Sequence, residues 1–135
     1  MKALIDEFKS NLKKCIEVTD LGELHWLLGI EVKHNHMHQL LHLSQHSYIT
    51  AILRCFNLED MCPLSMPMDP NIHYSTAQSP QTTEQTTEMR NIPYHEAVSS
   101  LMYLTLTTRP DITFAVAIVS CFSENPGNAH WEAVK

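Results

Sequence analysis

Apolar residues near the start of the chain recur at the spacing of a helix. One face carries Leu4, Ile5, Phe8, Leu12, Cys15 and Ile16. Another face carries Lys2, Lys9 and Lys13. This pattern predicts an amphipathic first helix. Its lysine face is either an ordinary solvated surface or a surface that touches phosphates.

The next segment changes from helical spacing to alternation. Between Leu21 and Lys33, the apolar residues Trp26, Leu28, Ile30 and Val32 occupy every second position. A strand with one apolar face is therefore predicted. A shorter alternation from Leu41 to Leu43 follows the polar gap 34–39, which has about the length of a hairpin connection.

Helical spacing returns after this hairpin. Ser44 offers a cap for a helix of about three turns that carries Tyr48, Ile49, Ile52, Leu53 and Phe56. Pro93 and Pro110 each precede a further helical pattern, and a last helix is predicted from about Ala129. Between them, the polar, Thr-rich stretch from Asn71 to Asn91 predicts a mobile loop. The fold class is therefore α+β, with a helix and a β-hairpin followed by a helical bundle.

Composition limits the function classes. The chain has 135 residues, with nine Lys and Arg against fifteen Asp and Glu. Its formal charge of −6 therefore disfavours binding to nucleic acid. Residues 44–108 contain only two cations, Arg54 and Arg90. The four cysteines form no Cys-x-x-Cys pair, which favours free thiols in a reducing, intracellular compartment. No apolar run is long enough to span a bilayer, so we expect no membrane partner.

Five of the nine histidines lie within Lys33–His46, which raises the question of a metal site. His34, His36 and His38 would share one face of a strand, whereas His38, His42 and His46 would share one face of a helix. The predicted hairpin divides them among three backbone settings, and no cysteine lies nearby. We therefore expect no metal site from this stretch alone, apart from adventitious capture by exposed imidazoles.

Four stretches, in order and spacing, resemble the reverse transcriptase of Ty1/copia-type retrotransposons. They are "DLGELHWLLGIEV", "LHLSQHSYI", "YHEAVSSLMYLTLTTRPDITFAV" and "NPGNAHWEAVK". The resemblance covers essentially the whole chain. It implies an RNA-directed DNA polymerase shaped like a right hand, with 1–43 as the end of the palm, 44–124 as thumb-like helices and 125–135 as the start of the connection.

The resemblance also implies candidate site residues. The segment Trp26 to Glu31 is similar to the strand that grips the primer terminus in related polymerases. This comparison makes Trp26, Leu28, Gly29, Ile30 and Glu31 candidate primer-grip residues. Gly29 would permit close backbone contact because it has no side chain. Lys9, Lys13 and Lys33 are the candidate phosphate contacts.

The family's catalytic motif, Tyr-x-Asp-Asp, does not occur in this sequence. Nucleotidyl transfer needs carboxylates that converge on two metal ions, so Mg²⁺ would belong to the missing palm motif and no cofactor is expected here. The chain is expected to be a fragment of a longer Pol polymerase that is inactive alone. Its expected partners are the rest of that polymerase or a second copy, with weak nucleic-acid binding at most. The alternative is a primer-template or protein interaction module derived from the element, located in the cytoplasm or the nucleus.

Overall fold

A computed structural model describes residues 2–135 and confirms the α+β class. A first helix and a three-stranded antiparallel sheet precede five further helices. The helices are α1 Lys2–Cys15, α2 His46–Cys55, α3 Thr83–Arg90, α4 Tyr94–Thr107, α5 Thr113–Ser120 and α6 Asn128–Val134. The strands are β1 Trp26–Leu27, β2 Ile30–Asn35 and β3 Leu40–Ser44. No helix in residues 2–135 is both long and apolar enough to cross a membrane.

The predicted continuous strand from Trp26 to Val32 is wrong. β1 and β2 pair through Trp26 with Glu31 and through Leu27 with Ile30. Leu28 and Gly29 form a two-residue turn between them, with φ of 51° and 78°. Short turns in which both central residues have positive φ match the twist of paired strands. Gly29 adopts this conformation at little cost, and its local preference outweighs the alternation pattern.

The second hairpin is confirmed, with strands slightly longer than predicted. Its turn spans 36–39, and the register places Val32 opposite Leu43 and His34 opposite Leu41. Because strand residues alternate between faces, one face of the sheet is predominantly apolar. That face carries Leu27, Ile30, Val32, His34, Leu41 and Leu43. The opposite face carries Trp26, Glu31, Lys33, Asn35, Leu40, His42 and Ser44.

Helix α2 begins one residue later than the predicted cap implies. Gln45 occupies the N-cap position, although the Ser44 hydroxyl accepts a hydrogen bond from the His46 backbone N–H at 3.2 Å. The Gln45 side chain is buried. Its Oε1 accepts hydrogen bonds from the hydroxyls of Thr107 and Thr108, so this residue ties the start of α2 to the end of α4.

The prediction of an irregular loop over Asn71–Asn91 is wrong for much of that segment. A 3-10 turn spans Thr76–Gln78, and α3 spans Thr83–Arg90. At the start of α3 the Thr82 hydroxyl accepts from the Gln85 backbone N–H, and the Gln85 side chain accepts from the Thr82 N–H, each at 3.3 Å. This capping box satisfies backbone groups at the helix start, and the buried Met89 anchors the other end.

The core lies among α4, α5 and α6. Tyr94, Val98 and Val119 are buried together, and Met68, Trp131, Ala133 and Val134 pack against them. The Tyr94 hydroxyl donates to the Val119 carbonyl at 2.7 Å, which satisfies its only polar group inside this core. Burial raises the pKa of Tyr94 to about 12. The helices predicted after Pro93 and near Ala129 are confirmed as α4 and α6.

The helix predicted from Pro110 begins as a 3-10 turn, Pro110–Ile112, and continues as α5. Asp111 lies in the first turn of this segment. Its carboxylate accepts bidentate hydrogen bonds from Arg109, with the Arg109 Nη2 to Asp111 Oδ2 distance at 2.9 Å. This pairing lowers the pKa of Asp111 and raises that of Arg109.

Gly127 marks the close approach of α6 to the 3-10 turn Thr76–Gln78. A Cβ atom at Gly127 would lie 2.0 Å from the Gln78 carbonyl oxygen. The backbone at Gly127 is extended, so the glycine is required here by space rather than by conformation. The segment predicted as a mobile loop is therefore packed against α6 at this point.

Candidate functional site

The candidate primer-grip residues form the β1–β2 hairpin. Leu28 is 79% exposed and lies with Gly29 at the tip, while Ile30 and Glu31 are partly covered. Trp26 and Glu31 lie opposite each other on one face of the sheet, and Ile30 lies on the other face. The structure therefore does not gather these five residues on one surface. It presents the backbone of the Leu28–Gly29 turn at an exposed tip.

Tyr103 on α4 touches this turn, a contact that the sequence did not predict. Its hydroxyl donates a hydrogen bond to the Leu28 carbonyl, 75 residues away in the chain. The hydroxyl also lies 3.9 Å from where a Cβ of Gly29 would be. The Tyr103 ring packs edge-on against Tyr48 of α2, with ring centroids 5.1 Å apart. Tyr103 thus connects the hairpin tip, α2 and α4.

Two of the three candidate phosphate contacts are engaged in ion pairs. Lys9 Nζ lies 2.8 Å from Asp20, and Lys33 Nζ lies 2.9 Å from Glu31. The hydrogen bond from Lys9 lowers the pKa of Asp20 and raises that of Lys9. Lys13 is exposed and makes no ion pair within residues 2–135. The side chain of Lys2, on the same predicted face, lies outside the described part of the chain.

The apolar face of the sheet forms an open groove of about 300 Å³. Its lining comprises Glu23, Leu24, Leu27, Ile30, Val32, His34, Leu41 and Leu43. Leu41 is 61% exposed and Leu43 is 49% exposed, although both point to the apolar side. The apolar residues of α1 are likewise exposed, including Phe8 at 66%. Contiguous exposed apolar surface of this kind is typical of protein interaction sites.

At the rim of this groove, the structure brings together Glu23, His34 and His36. Glu23 Oε1 lies 2.8 Å from His36 Nε2, and the two histidine ring centroids are 3.8 Å apart. The hydrogen bond with His36 lowers the pKa of Glu23. One candidate ligand atom from each residue lies within 4.8 Å of the other two. The sequence pattern paired the histidines with each other but did not bring in Glu23, which lies before β1.

The homologues of this chain are retrovirus-related Pol polyproteins of copia-type transposons. The chain is 42% identical to the Pol polyprotein of transposon TNT 1-94 from Nicotiana tabacum over 134 residues, 99% of this chain. It is 36% identical to the Pol polyprotein of transposon RE1 from Arabidopsis thaliana over 132 residues, 98% of this chain.

The chain spans 10% and 8% of the lengths of these two polyproteins. It also resembles an uncharacterized mitochondrial protein of Arabidopsis thaliana, with 35% identity over 126 residues, 92% of this chain and 48% of that protein. No family model and no solved structure matches the chain.

Proposed function

We propose that the chain corresponds to the end of the palm and the thumb of a copia-type reverse transcriptase and is not a polymerase by itself. The observation that carries this proposal is the alignment of 99% of the chain with one segment of a transposon Pol polyprotein. The lack of adjacent aspartates in the sequence supports a non-catalytic role for this segment. Catalysis would depend on carboxylates supplied from elsewhere in the polymerase.

Within that role, the Leu28–Gly29 turn is the proposed contact with the primer backbone. Both residues are exposed, and the turn projects from the paired strands rather than lying within the sheet. The Tyr103 hydroxyl holds the Leu28 carbonyl from the thumb-like helices. A contact between the turn and α4 would keep the position of the turn fixed relative to a bound duplex. Catalysis is sensitive to such positioning, since displacements of about 1 Å can cost about 100-fold in rate.

The proposed protein partner is the rest of the Pol polymerase. The groove on the sheet and the apolar face of α1 are exposed in this chain, and burying apolar surface gains about 25 cal/mol per Å². Palm elements would cover these surfaces in the complete polymerase. Self-association through the same surfaces is the alternative that a concentration series by analytical ultracentrifugation distinguishes.

Nucleic-acid affinity of the isolated chain is proposed to be weak. The net charge is −6, and the ion pairs of Lys9, Lys33 and Arg54 reduce the cations left for phosphates. A protein that displaces few counterions gains little electrostatic affinity. The alternative function, a primer-template binding module, therefore requires tight binding at about 150 mM salt, which fluorescence anisotropy measures directly.

A chimera tests the primer-grip proposal. This chain replaces the corresponding segment of the TNT 1-94 polymerase, and primer extension is measured for the chimera and its variants. We expect Gly29→Ala to lower extension by about 10- to 100-fold. Gly22→Ala is the matched control, because Gly22 has φ of 80° against 78° for Gly29. Both substitutions therefore impose a similar backbone cost, but only Gly29 lies at the hairpin tip.

Three results would contradict these proposals. A chimera without primer extension would show that this segment does not replace a polymerase palm end and thumb. Equal losses for Gly29→Ala and Gly22→Ala would show that the turn acts through stability alone. Primer extension by the isolated chain would likewise overturn the assignment of a non-catalytic segment.

A further inference from the structure

Three possible metal ligands meet at the edge of the β2–β3 hairpin. His34 lies on β2, His36 follows the end of that strand, and Glu23 comes from the segment before β1. Two imidazoles and one carboxylate form a donor set that binds zinc and other divalent transition ions in proteins. The protein supplies three ligands, and all three side chains are exposed. Water would therefore occupy at least one of the remaining positions on a bound ion.

The backbone holds the three donors in place. The register of β2 against β3 fixes His34 opposite Leu41. The Val32 N–H donates to the His25 carbonyl at 2.8 Å, which attaches the segment containing Glu23 to β2. In the turn, the Asn35 side chain accepts from the His38 N–H at 3.1 Å, which fixes the backbone on both sides of His36. The donors therefore come from positioned segments rather than from a free tail.

The distances suit a small ion after modest side-chain rotation. Zinc binds nitrogen and oxygen at about 2.0–2.2 Å, so ligand atoms of a tetrahedral site lie about 3.3–3.5 Å apart. The Glu23 to His36 distance of 2.8 Å is slightly shorter than this, and the outer limit of 4.8 Å is longer. Exposed side chains make such adjustments at low cost, and an ion would replace the hydrogen bond between Glu23 and His36.

We propose that Glu23, His34 and His36 form a binding site for Zn²⁺ or a similar divalent transition ion at the edge of the hairpin. Neighbouring histidines do not complete this group. His42 pairs with Lys33 and lies on the opposite face of the sheet from His34. His38 lies in the turn and is not part of the group of three. The site would link the segment before β1 to β2 and so restrain the hairpin.

The test uses the full chain, purified without a histidine tag, and isothermal titration calorimetry with ZnCl₂. We expect one ion per chain. Glu23→Gln and His36→Asn should each weaken the affinity by about tenfold or more, since losses of that size follow even from removing groups that only support ligands. His38→Asn and His42→Asn are the matched controls and should leave the affinity unchanged. Circular dichroism verifies that each variant keeps its fold.

Absorption of the Co²⁺ form gives a second readout, because tetrahedral and octahedral cobalt differ strongly in intensity. We expect a tetrahedral spectrum in the wild type and its loss in His34→Asn. Equal weakening by all hairpin histidine substitutions, or several ions per chain, would show an adventitious ion only. Either result, or a lack of binding, overturns the proposal without affecting the assignment of the chain to a polymerase segment.

Discussion

His130 is a fully buried histidine at the packing of α6 against the rest of the helical unit. Its ring stacks on Phe122, with centroids 4.0 Å apart, and its Nδ1 accepts a hydrogen bond from the Gly127 N–H at 2.9 Å. Nε2 has no hydrogen-bond partner of good geometry within residues 2–135. The nearby Ser75 backbone favours the protonated ring and so partly offsets the effect of burial on the pKa of His130. Burial lowers the pKa of His130, so the folded chain favours the neutral ring.

This burial predicts a loss of stability in mild acid. Below the ordinary histidine pKa of about 6.5, the unfolded chain binds a proton at His130 that the folded chain excludes. The free energy of unfolding therefore falls as the pH falls below that value, by at most about 1.4 kcal/mol per pH unit for one proton. Urea unfolding between pH 5 and 8 measures this slope.

The matched comparison is between two histidine substitutions. His130→Asn removes the buried titrating ring and should flatten the pH dependence relative to the wild type. His95→Asn replaces an exposed histidine of α4 and should leave the pH dependence of the stability unchanged. If the two variants keep the same slope as the wild type, His130 is not the source of the acid sensitivity.

Helix α3 shows how a local cap decides the state of a polar segment. Its residues bury little apolar surface, and Met89 is its only buried residue. The segment was predicted as a loop because its composition is polar and Thr-rich. The sequence nevertheless contained the relevant signal, since Thr82 and Gln85 have the Ser/Thr-x-x-Glu/Gln spacing of a capping box. Apolar periodicity alone cannot detect helices that depend on such caps.

Removing the cap should destabilise α3. In Thr82→Ala, the Gln85 backbone N–H loses its acceptor, so we expect the free energy of unfolding to fall by about 1 kcal/mol. Thr83→Ala is the control, because the Thr83 side chain makes no hydrogen bond within residues 2–135 and alanine is a better helix former. Hydrogen exchange of the α3 amides localises the effect. Similar exchange in both variants would exclude a role for the capping box.

At the scale of the whole molecule, the sheet and the helical unit meet at a few side chains. Tyr103 contacts the Leu28 carbonyl and the Tyr48 ring, and Gln45 bonds to Thr107 and Thr108. The main core lies elsewhere, among α4, α5 and α6. The attachment of the hairpin therefore depends on specific polar and aromatic contacts more than on buried apolar surface.

Removing one oxygen atom should weaken the attachment of the β1–β2 hairpin to the helices. Tyr103→Phe removes the hydroxyl that binds the Leu28 carbonyl but keeps the ring. We expect the free energy of unfolding to fall by about 0.5–1 kcal/mol, a small loss because water can reach the freed carbonyl. Tyr48→Phe keeps the same ring contact and removes a hydroxyl that makes no hydrogen bond elsewhere in 2–135. Chemical denaturation and hydrogen exchange at β1 and β2 compare the two. A larger effect of Tyr48→Phe would contradict the assigned role of Tyr103.

Sequence periodicity predicted the elements that bury a regular apolar face, such as α4, and the β2–β3 hairpin with its polar turn. It missed the turn at Leu28 and Gly29 because alternation continues through the turn without interruption. The contact between Tyr103 and Leu28 and the meeting of Glu23 with His36 could not be predicted, because both depend on how distant segments pack. The sequence therefore named candidate site residues but not the distant side chains that contact them.

The contact between Tyr103 and Leu28 has a consequence for the order of folding. It closes a loop of 75 residues, which costs more chain entropy than the neighbouring helix contacts of α4, α5 and α6. Elements that meet through short sequence separations form faster than those that wait for distant partners. The C-terminal helices should therefore assemble first during refolding, and the β1–β2 tip should reach its final position in the last kinetic phase.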